Sequence, residues 1–135
     1  MTESGTVLVV EDEEHLRELM SRFLRRLGVT HHLVADSTSF DTWLAESVPC
    51  LVLMDLRLEG DSRQGIDLIR QMRSDPRFAA VPIAVMSAFV HTDDLERARE
   101  AGCAAYIRKP FQDREAIGQL IKALVAGKDM PWQIL

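Results

Sequence analysis

Five polar side chains stand at the downstream ends of short apolar runs. Glu11 and Asp12 follow Val-Leu-Val-Val, Asp55 follows Leu-Val-Leu-Met, Ser87 follows Val-Met, and Lys109 follows Tyr-Ile-Arg. An ionised carboxylate is costly to desolvate, so Asp55 requires cations or a metal around it. Three carboxylates gathered in one crevice repel one another, and a hard divalent cation bound through oxygen keeps them ionised together. Magnesium suits such a set, since it takes one or two protein carboxylates and retains water or phosphate oxygens; no His or Cys stands at a zinc spacing. Lys109, the Ser87 hydroxyl and the Ala88 backbone N–H add an ammonium and two donors for phosphoryl oxygens. With a carboxylate at the centre, the economical chemistry is nucleophilic attack by Asp55 on a phosphoryl donor, giving an aspartyl phosphate.

Such chemistry requires a scaffold that brings the five run-ends together. Cys50 to Leu58 reads as the central strand: Leu51 to Met54 are apolar without alternation, as expected where helices cover both faces. Thr6–Val10, Val29–Ala35, Val81–Met86 and Ala104–Ile107 read as further strands. Between them, the spacing of Leu16, Leu19, Met20, Phe23, Leu24 and Leu27 predicts a helix ended by Gly28. Phe40, Trp43 and Leu44 form a shorter helix after the caps offered by Asp36 to Ser39. Ile66, Ile69 and Met72 lie on one face of a third helix, and Leu95, Ala98 and Ala101 make only a thin apolar face on a fourth. The last carries Ile117, Leu120, Ile121, Leu124 and Val125, weakened at Gly118 by up to ~1 kcal/mol relative to Ala. Strict alternation of five strands and five helices predicts an α/β, flavodoxin-like (βα)5 doubly wound sandwich. Its sheet is parallel and five-stranded, of order 2-1-3-4-5, with helices on both faces. Sites in such sheets form beyond the carboxyl ends of the strands where strand order reverses, between the first and third strands. Those strands end in Glu11-Asp12 and in Asp55.

At 135 residues, 47% apolar and 27% charged, the chain fits one domain with one substantial core, expected over 5–127 with a tail at 128–135. No apolar stretch approaches the ~20 residues that span a bilayer, and the polar start lacks the parts of a signal peptide, so a cytoplasmic location is expected. A net charge of -5 without a long basic block argues against direct nucleic-acid or anionic-membrane binding. Cys50 and Cys103 make neither a metal spacing nor a disulfide framework and are expected as reduced core residues.

Val-Leu-Val-Val-Glu11-Asp12-Glu-Glu, Leu-Val-Leu-Met-Asp55, Val-Met-Ser87-Ala88 and Ala-Ala-Tyr106-Ile-Arg-Lys109-Pro110-Phe111, in this order and spacing, resemble the receiver domains of two-component response regulators. The match covers nearly the whole chain. The resemblance implies that Asp55 is the phosphoacceptor, Asp12 a direct magnesium ligand, Glu11 a ligand through water and the Arg57 backbone carbonyl another. Ser87 and Lys109 would hold the phosphoryl group, and Ser87 with Tyr106 would form a switch that reshapes the surface of the fourth helix, fifth strand and fifth helix. Arg57 and Phe89 occupy positions that tune phosphate lifetime, and their size and charge predict a persistent phosphate. The partners implied are a sensor histidine kinase or histidine phosphotransfer protein and a downstream protein target, with a phosphorylation-dependent dimer as one form of output. Such a domain promotes its own phosphorylation and dephosphorylation and is not an enzyme with a separate substrate. The loop from Leu56 to Gly65 departs from the family pattern: it lacks the usual Pro and is longer.

Simpler readings exist for each residue alone. Glu11 and Asp12 could serve a helix N-terminus, Ser87 could bond nearby backbone, and Tyr106 could be core packing. Arg22, Arg25 and Arg26 could be a solvated face or a docking patch, and the apolar tail from Met130 to Leu135 could pack on the domain or serve a partner interface. Three other functions compete. A phosphorylation-independent interaction module keeps the fold without the chemistry. An aspartyl-phosphate phosphatase would require Asp-x-Asp after the first strand. A flavodoxin-like nucleotide binder would require a Ser/Thr/Gly-rich loop where this chain has Glu11 to Glu14.

Overall fold

The computed structural model describes residues 2–3, 5–88 and 91–135. Six strands form one parallel sheet: β1 (Val7–Val10), β2 (His31–Val34), β3 (Leu51–Asp55), β4 (Ile83–Ser87), β5 (Ala105–Arg108) and β6 (Gln133–Ile134), in the order β2-β1-β3-β4-β5-β6. The expected 2-1-3-4-5 order is present. The difference is the sixth strand: the apolar tail pairs Gln133 and Ile134 with Ala105 and Tyr106. Its backbone groups and those of the β5 edge thereby satisfy one another, which unpaired edge groups require. A separate two-stranded parallel pair joins Thr2–Glu3 to Ser47–Val48.

Five helices alternate with the strands: α1 (Glu14–Arg26), α2 (Ser37–Leu44), α3 (Gly65–Arg73), α4 (Thr92–Ala101) and α5 (Arg114–Val125). Successive strand side chains point to opposite faces, and both sets are apolar here. Val7, Val9, Leu51, Leu53, Ala84, Met86 and Ile107 pack with Met20 and Leu24 of α1 and Ile117, Leu120 and Ile121 of α5. Leu8, Val10, Val52, Met54, Ile83, Val85 and Tyr106 pack on the other face with α2, α3 and Ala98 of α4. Every residue of β1 and β3 is buried, which explains their unbroken apolar runs.

The helix boundaries follow local chemistry. Asp36 caps α2, accepting from the Ser39 N–H at 2.8 Å, while the Ser39 hydroxyl lies 3.3 Å from the Asp36 N–H in a reciprocal capping box. Gly28 follows α1 with φ +72°, the left-handed conformation Gly adopts without strain. Gly118 has a packing role: a Cβ there would meet Leu27 Cδ2 at 3.0 Å, so its absence lets α5 approach α1. The apolar stripe of α1 is wider than its contact with the sheet. Only Met20 and Leu24 are fully buried, and Leu19 is 43% exposed. The expected thinness of α4 is present, with Ala98 its one buried residue. Cys103 is buried and Cys50 half-buried, and both are free thiols. Burial pushes the Cys103 thiol up to about 12. Among the described residues no helix is long and apolar enough to cross a membrane.

Candidate functional site

Because all strands run parallel, their carboxyl ends share one edge. Val10 pairs with Met54, so Glu11 and Asp55 leave the sheet side by side; Asp55 pairs with Met86 and Ser87 with Arg108. The strand order reverses at β1 and β3, where such folds place their sites. Backbone bonds knit this edge together: Glu11 N–H donates to the Val34 carbonyl, Leu56 N–H to Met86, and Lys109 N–H to Ser87 at 2.8 Å.

Four of the five polar residues identified in the sequence form one contiguous cluster. Glu11, Asp12 and Asp55 offer carboxylate oxygens that lie within 4.8 Å of one another. Lys109 Nζ lies 2.6 Å from Glu11 Oε1 and 3.3 Å from Asp55 Oδ2. Ser87 is buried at the end of β4, and its side chain hydrogen-bonds that of Tyr106 on β5. Tyr106 has no solvent exposure, and burial raises its phenol above the ordinary value despite that bond. Ala88 follows Ser87 at the surface, Arg57 is exposed, and the Arg57 N–H donates to Asp55 Oδ1 at 3.1 Å. Phe89 lies outside the described residues. His15 is exposed.

The electrostatics follow from crowding and burial. Burial, and then the neighbouring Glu11 carboxyl, push the Asp55 carboxyl up to about 8, against the pull of the Lys109 charge and the Arg57 N–H. Burial opposes the Lys109 ammonium, but its bond to Glu11 and the Asp55 charge outweigh this and raise its pKa. Asp12 also meets a burial penalty, which the Glu59 N–H and its Glu11 and Asp55 contacts outweigh, leaving it below the usual carboxylate value. The ligand atoms that Glu11, Asp12 and Asp55 offer are all carboxylate oxygens, a set that fits a hard divalent cation. Such a cation would favour the ionised form of Asp55 against the burial and the Glu11 carboxyl that push it towards protonation.

Several positioning residues were not legible in the sequence. Arg17 donates from Nη1 to the carbonyls of Glu11 and Asp12, at 2.9 and 2.8 Å, and so fixes the acidic turn from the first helix. Glu13 N–H donates to Glu11 Oε2 at 3.3 Å. Gly65, at the start of α3, lies against the back of the Asp55 peptide, where a Cβ would collide with the Asp55 carbonyl oxygen and come within 2.9 Å of Leu56 Cα. The Lys109–Pro110 peptide is cis. Beside the cluster, a cleft of about 510 Å³ between α1 and the start of α5 is lined by Leu16, Leu19, Phe23, Arg22, Arg114 and Phe111, among others.

Residues 7–122 match the family described as response regulator receiver domain. The chain is 35% identical over 129 residues to the DNA-binding response regulator MtrA of Mycobacterium tuberculosis, covering 96% of this chain and 54% of that protein. It is 32% identical over 120 residues to the transcriptional regulatory protein GltR of Pseudomonas aeruginosa, covering 89% of this chain and 48% of that one. The chain thus spans about half the length of the curated relatives it matches. Among solved structures, the receiver domain of a sensor histidine kinase from Pseudomonas aeruginosa PAO1 superposes with a TM-score of 0.79 at 27% identity, covering 90% of this chain and 97% of that one. That structure has a magnesium ion coordinated in its active site cleft. The signal receiver domain of a histidine kinase from Syntrophus aciditrophicus has the same fold, with a TM-score of 0.81 at 22% identity, covering 92% of each chain. From the matched residues, the shared fold and the acidic edge it builds, the chain belongs to the response regulator receiver domain family.

Proposed function

We propose that this receiver domain accepts a phosphoryl group on Asp55 from a sensor histidine kinase or histidine phosphotransfer protein, and that the modification alters its surface for a downstream protein partner. The observation that carries this reading is the grouping of the Asp55 carboxylate with the Glu11 and Asp12 acids and the Lys109 ammonium at one sheet edge. An Asp55 oxygen attacks phosphorus and forms the new O–P bond, while the bond from phosphorus to the donor nitrogen breaks and its electron pair stays on the donor. Lys109 Nζ, within reach of Asp55, meets the charge of the phosphoryl oxygens; Ser87 and the Ala88 N–H supply donors from the end of β4. Glu11, Asp12, Asp55 and the Arg57 carbonyl would hold a magnesium ion, which supplies charge neutralisation for the incoming phosphoryl group. The Ser87–Tyr106 contact is the route by which the modified site reaches β5 and α4.

The apolar cleft between α1 and α5, rimmed by Arg22, Arg26 and Arg114, opens beside Lys109 and suits the approach of a donor protein with acidic flanks. Arg57, exposed two residues after Asp55, is proposed together with Phe89 to slow attack by water and give a persistent phosphate. The test is intact-mass measurement after incubation with a small phosphoryl donor, with and without magnesium, on the native chain and Asp55→Asn. A magnesium-dependent single adduct that the variant lacks is expected. A folded, magnesium-loaded native protein that takes no adduct would overturn the reading in favour of an unmodified interaction module.

A further inference from the structure

The long loop after β3 is bolted to α2 by a contact that spans the two elements. Asp61 accepts from the Ser37 N–H and the Ser37 hydroxyl, both at 2.7 Å, and from the Arg63 N–H at 3.1 Å. Ser37 is the first residue of α2, so Asp61 serves from a distance one of the N–H groups that a helix N-terminus leaves unpaired. Arg63 adds a second attachment, donating to Asp41 of α2 at 2.6 Å and to Gln71 of α3 at 2.8 Å.

Asp61 also closes a tight turn. Its N–H donates to the Leu58 carbonyl at 3.3 Å, and Gly60 takes φ +72° at the third position, a conformation that favours Gly. The other end of the turn is equally fixed. Leu58 is buried in the core, and the Gln64 side chain accepts from its N–H at 2.8 Å and donates to its carbonyl at 2.9 Å. Between these two anchors lies Glu59, whose N–H donates to Asp12 Oδ2 at 2.8 Å. One oxygen of the Asp12 carboxylate is therefore oriented by a turn whose downstream end hangs on Ser37.

We infer that Asp61 is a positioning residue for the cation site: by holding the turn onto Ser37 it keeps the Glu59 N–H on Asp12 and thereby sets the affinity for magnesium. The inference rests on the proposed cation site. Groups that orient a metal ligand from outside its coordination shell typically change affinity by about 10–100-fold when removed, and Asp61 acts one step further away.

The test is calorimetric titration of magnesium chloride into the unphosphorylated protein, with the Glu59 amide followed by NMR. Asp61→Ala is expected to weaken magnesium binding by about tenfold and to shift the Glu59 amide before any metal is added. Asp61→Asn loses the same charge but keeps a carbonyl acceptor for the Ser37 N–H, and is expected to recover affinity to within about threefold of native. In an Asp12→Ala background, adding Asp61→Ala is expected to change affinity no further, because the route through Asp12 is already cut. If Asp61→Ala does not fold, Ser37→Ala, which removes only the hydroxyl contact, carries the test with a smaller loss of about three- to fivefold. A loss of stability with magnesium affinity within about twofold of native in either alanine variant overturns the inference and leaves the cation site standing. A native protein that binds no magnesium overturns both.

Discussion

The Lys109 ammonium lies 2.6 Å from Glu11 and 3.3 Å from Asp55, so the closer partner of the site's lysine is an acid of the first strand's end and not the central carboxylate. Glu11 is only 1% exposed. Removing its cation would leave a buried carboxylate that still accepts from the Glu13 N–H at 3.3 Å but has lost its charged partner. In metal-free buffer, Lys109→Ala should lose about 2 kcal/mol, below the ~3–5 kcal/mol of a fully buried pair because Lys109 itself reaches solvent. Urea denaturation measures the loss. Pairing the change with Glu11→Gln should recover most of it; no recovery would show that the cost lies elsewhere.

The raised Asp55 carboxyl makes metal-free stability fall with pH. Its folded value is about 8 against an ordinary 3.8, so the folded state binds the extra proton between these values. The stabilisation is fully present below the unfolded pKa and is lost as pH rises through the folded one. Urea midpoints measured with a chelator from about pH 6 to about pH 9 should therefore decline for the native chain relative to Asp55→Asn, whose amide does not titrate. The variant should be the more stable protein at the alkaline end. Parallel curves for the two proteins would contradict the burial argument.

Gly65 sits where any side chain would strike the peptide that carries Asp55. Gly65→Ala should destabilise by about 1–3 kcal/mol, the range for overpacking, although Ala is the better helix former. The displacement falls on the Asp55 backbone, so the variant should also accept phosphoryl groups more slowly at equal folded fraction. Intact-mass time courses test this, and an unchanged rate would separate Gly65 from the site.

The tail is held by specific contacts. Leu135 N–H donates to the Tyr106 carbonyl at 2.8 Å, the Arg108 N–H donates to the Leu135 carbonyl at 3.2 Å, and Arg99 of α4 stacks over the Trp132 ring at 5.3 Å. Trp132→Ala should cost about 1–2 kcal/mol from lost apolar burial and the lost cation–π contact. It should also speed hydrogen exchange at the Arg108 amide while leaving β1 unchanged. Equal exchange at Arg108 in both proteins would mean that β6 forms without the Trp132 anchor.

Much of this arrangement is determined locally. Runs such as Val7–Val10 and Leu51–Met54 are apolar at every position, which demands cover on both faces and hence parallel strands with alternating helices. Once that topology is set, all strand ends fall on one edge, and Glu11, Asp12, Asp55, Ser87 and Lys109 must arrive there together. Caps such as Asp36 and the Gly28 stop are equally local, because each acts on backbone groups within a few residues.

Contacts between distant segments were decided only in three dimensions. Nothing in the polar stretch Glu59 to Gln64 signals that Asp61 would bond Ser37, or that the Glu59 N–H would meet Asp12, since hydrogen-bond partners separated by such distances leave no periodicity. The pairing of Lys109 with Glu11 ahead of Asp55 is likewise a matter of ångström differences at the sheet edge. The sixth strand depends on an open β5 edge that only the assembled sheet possesses. Composition and spacing select the residue types that reach the site; packing decides which of them touch.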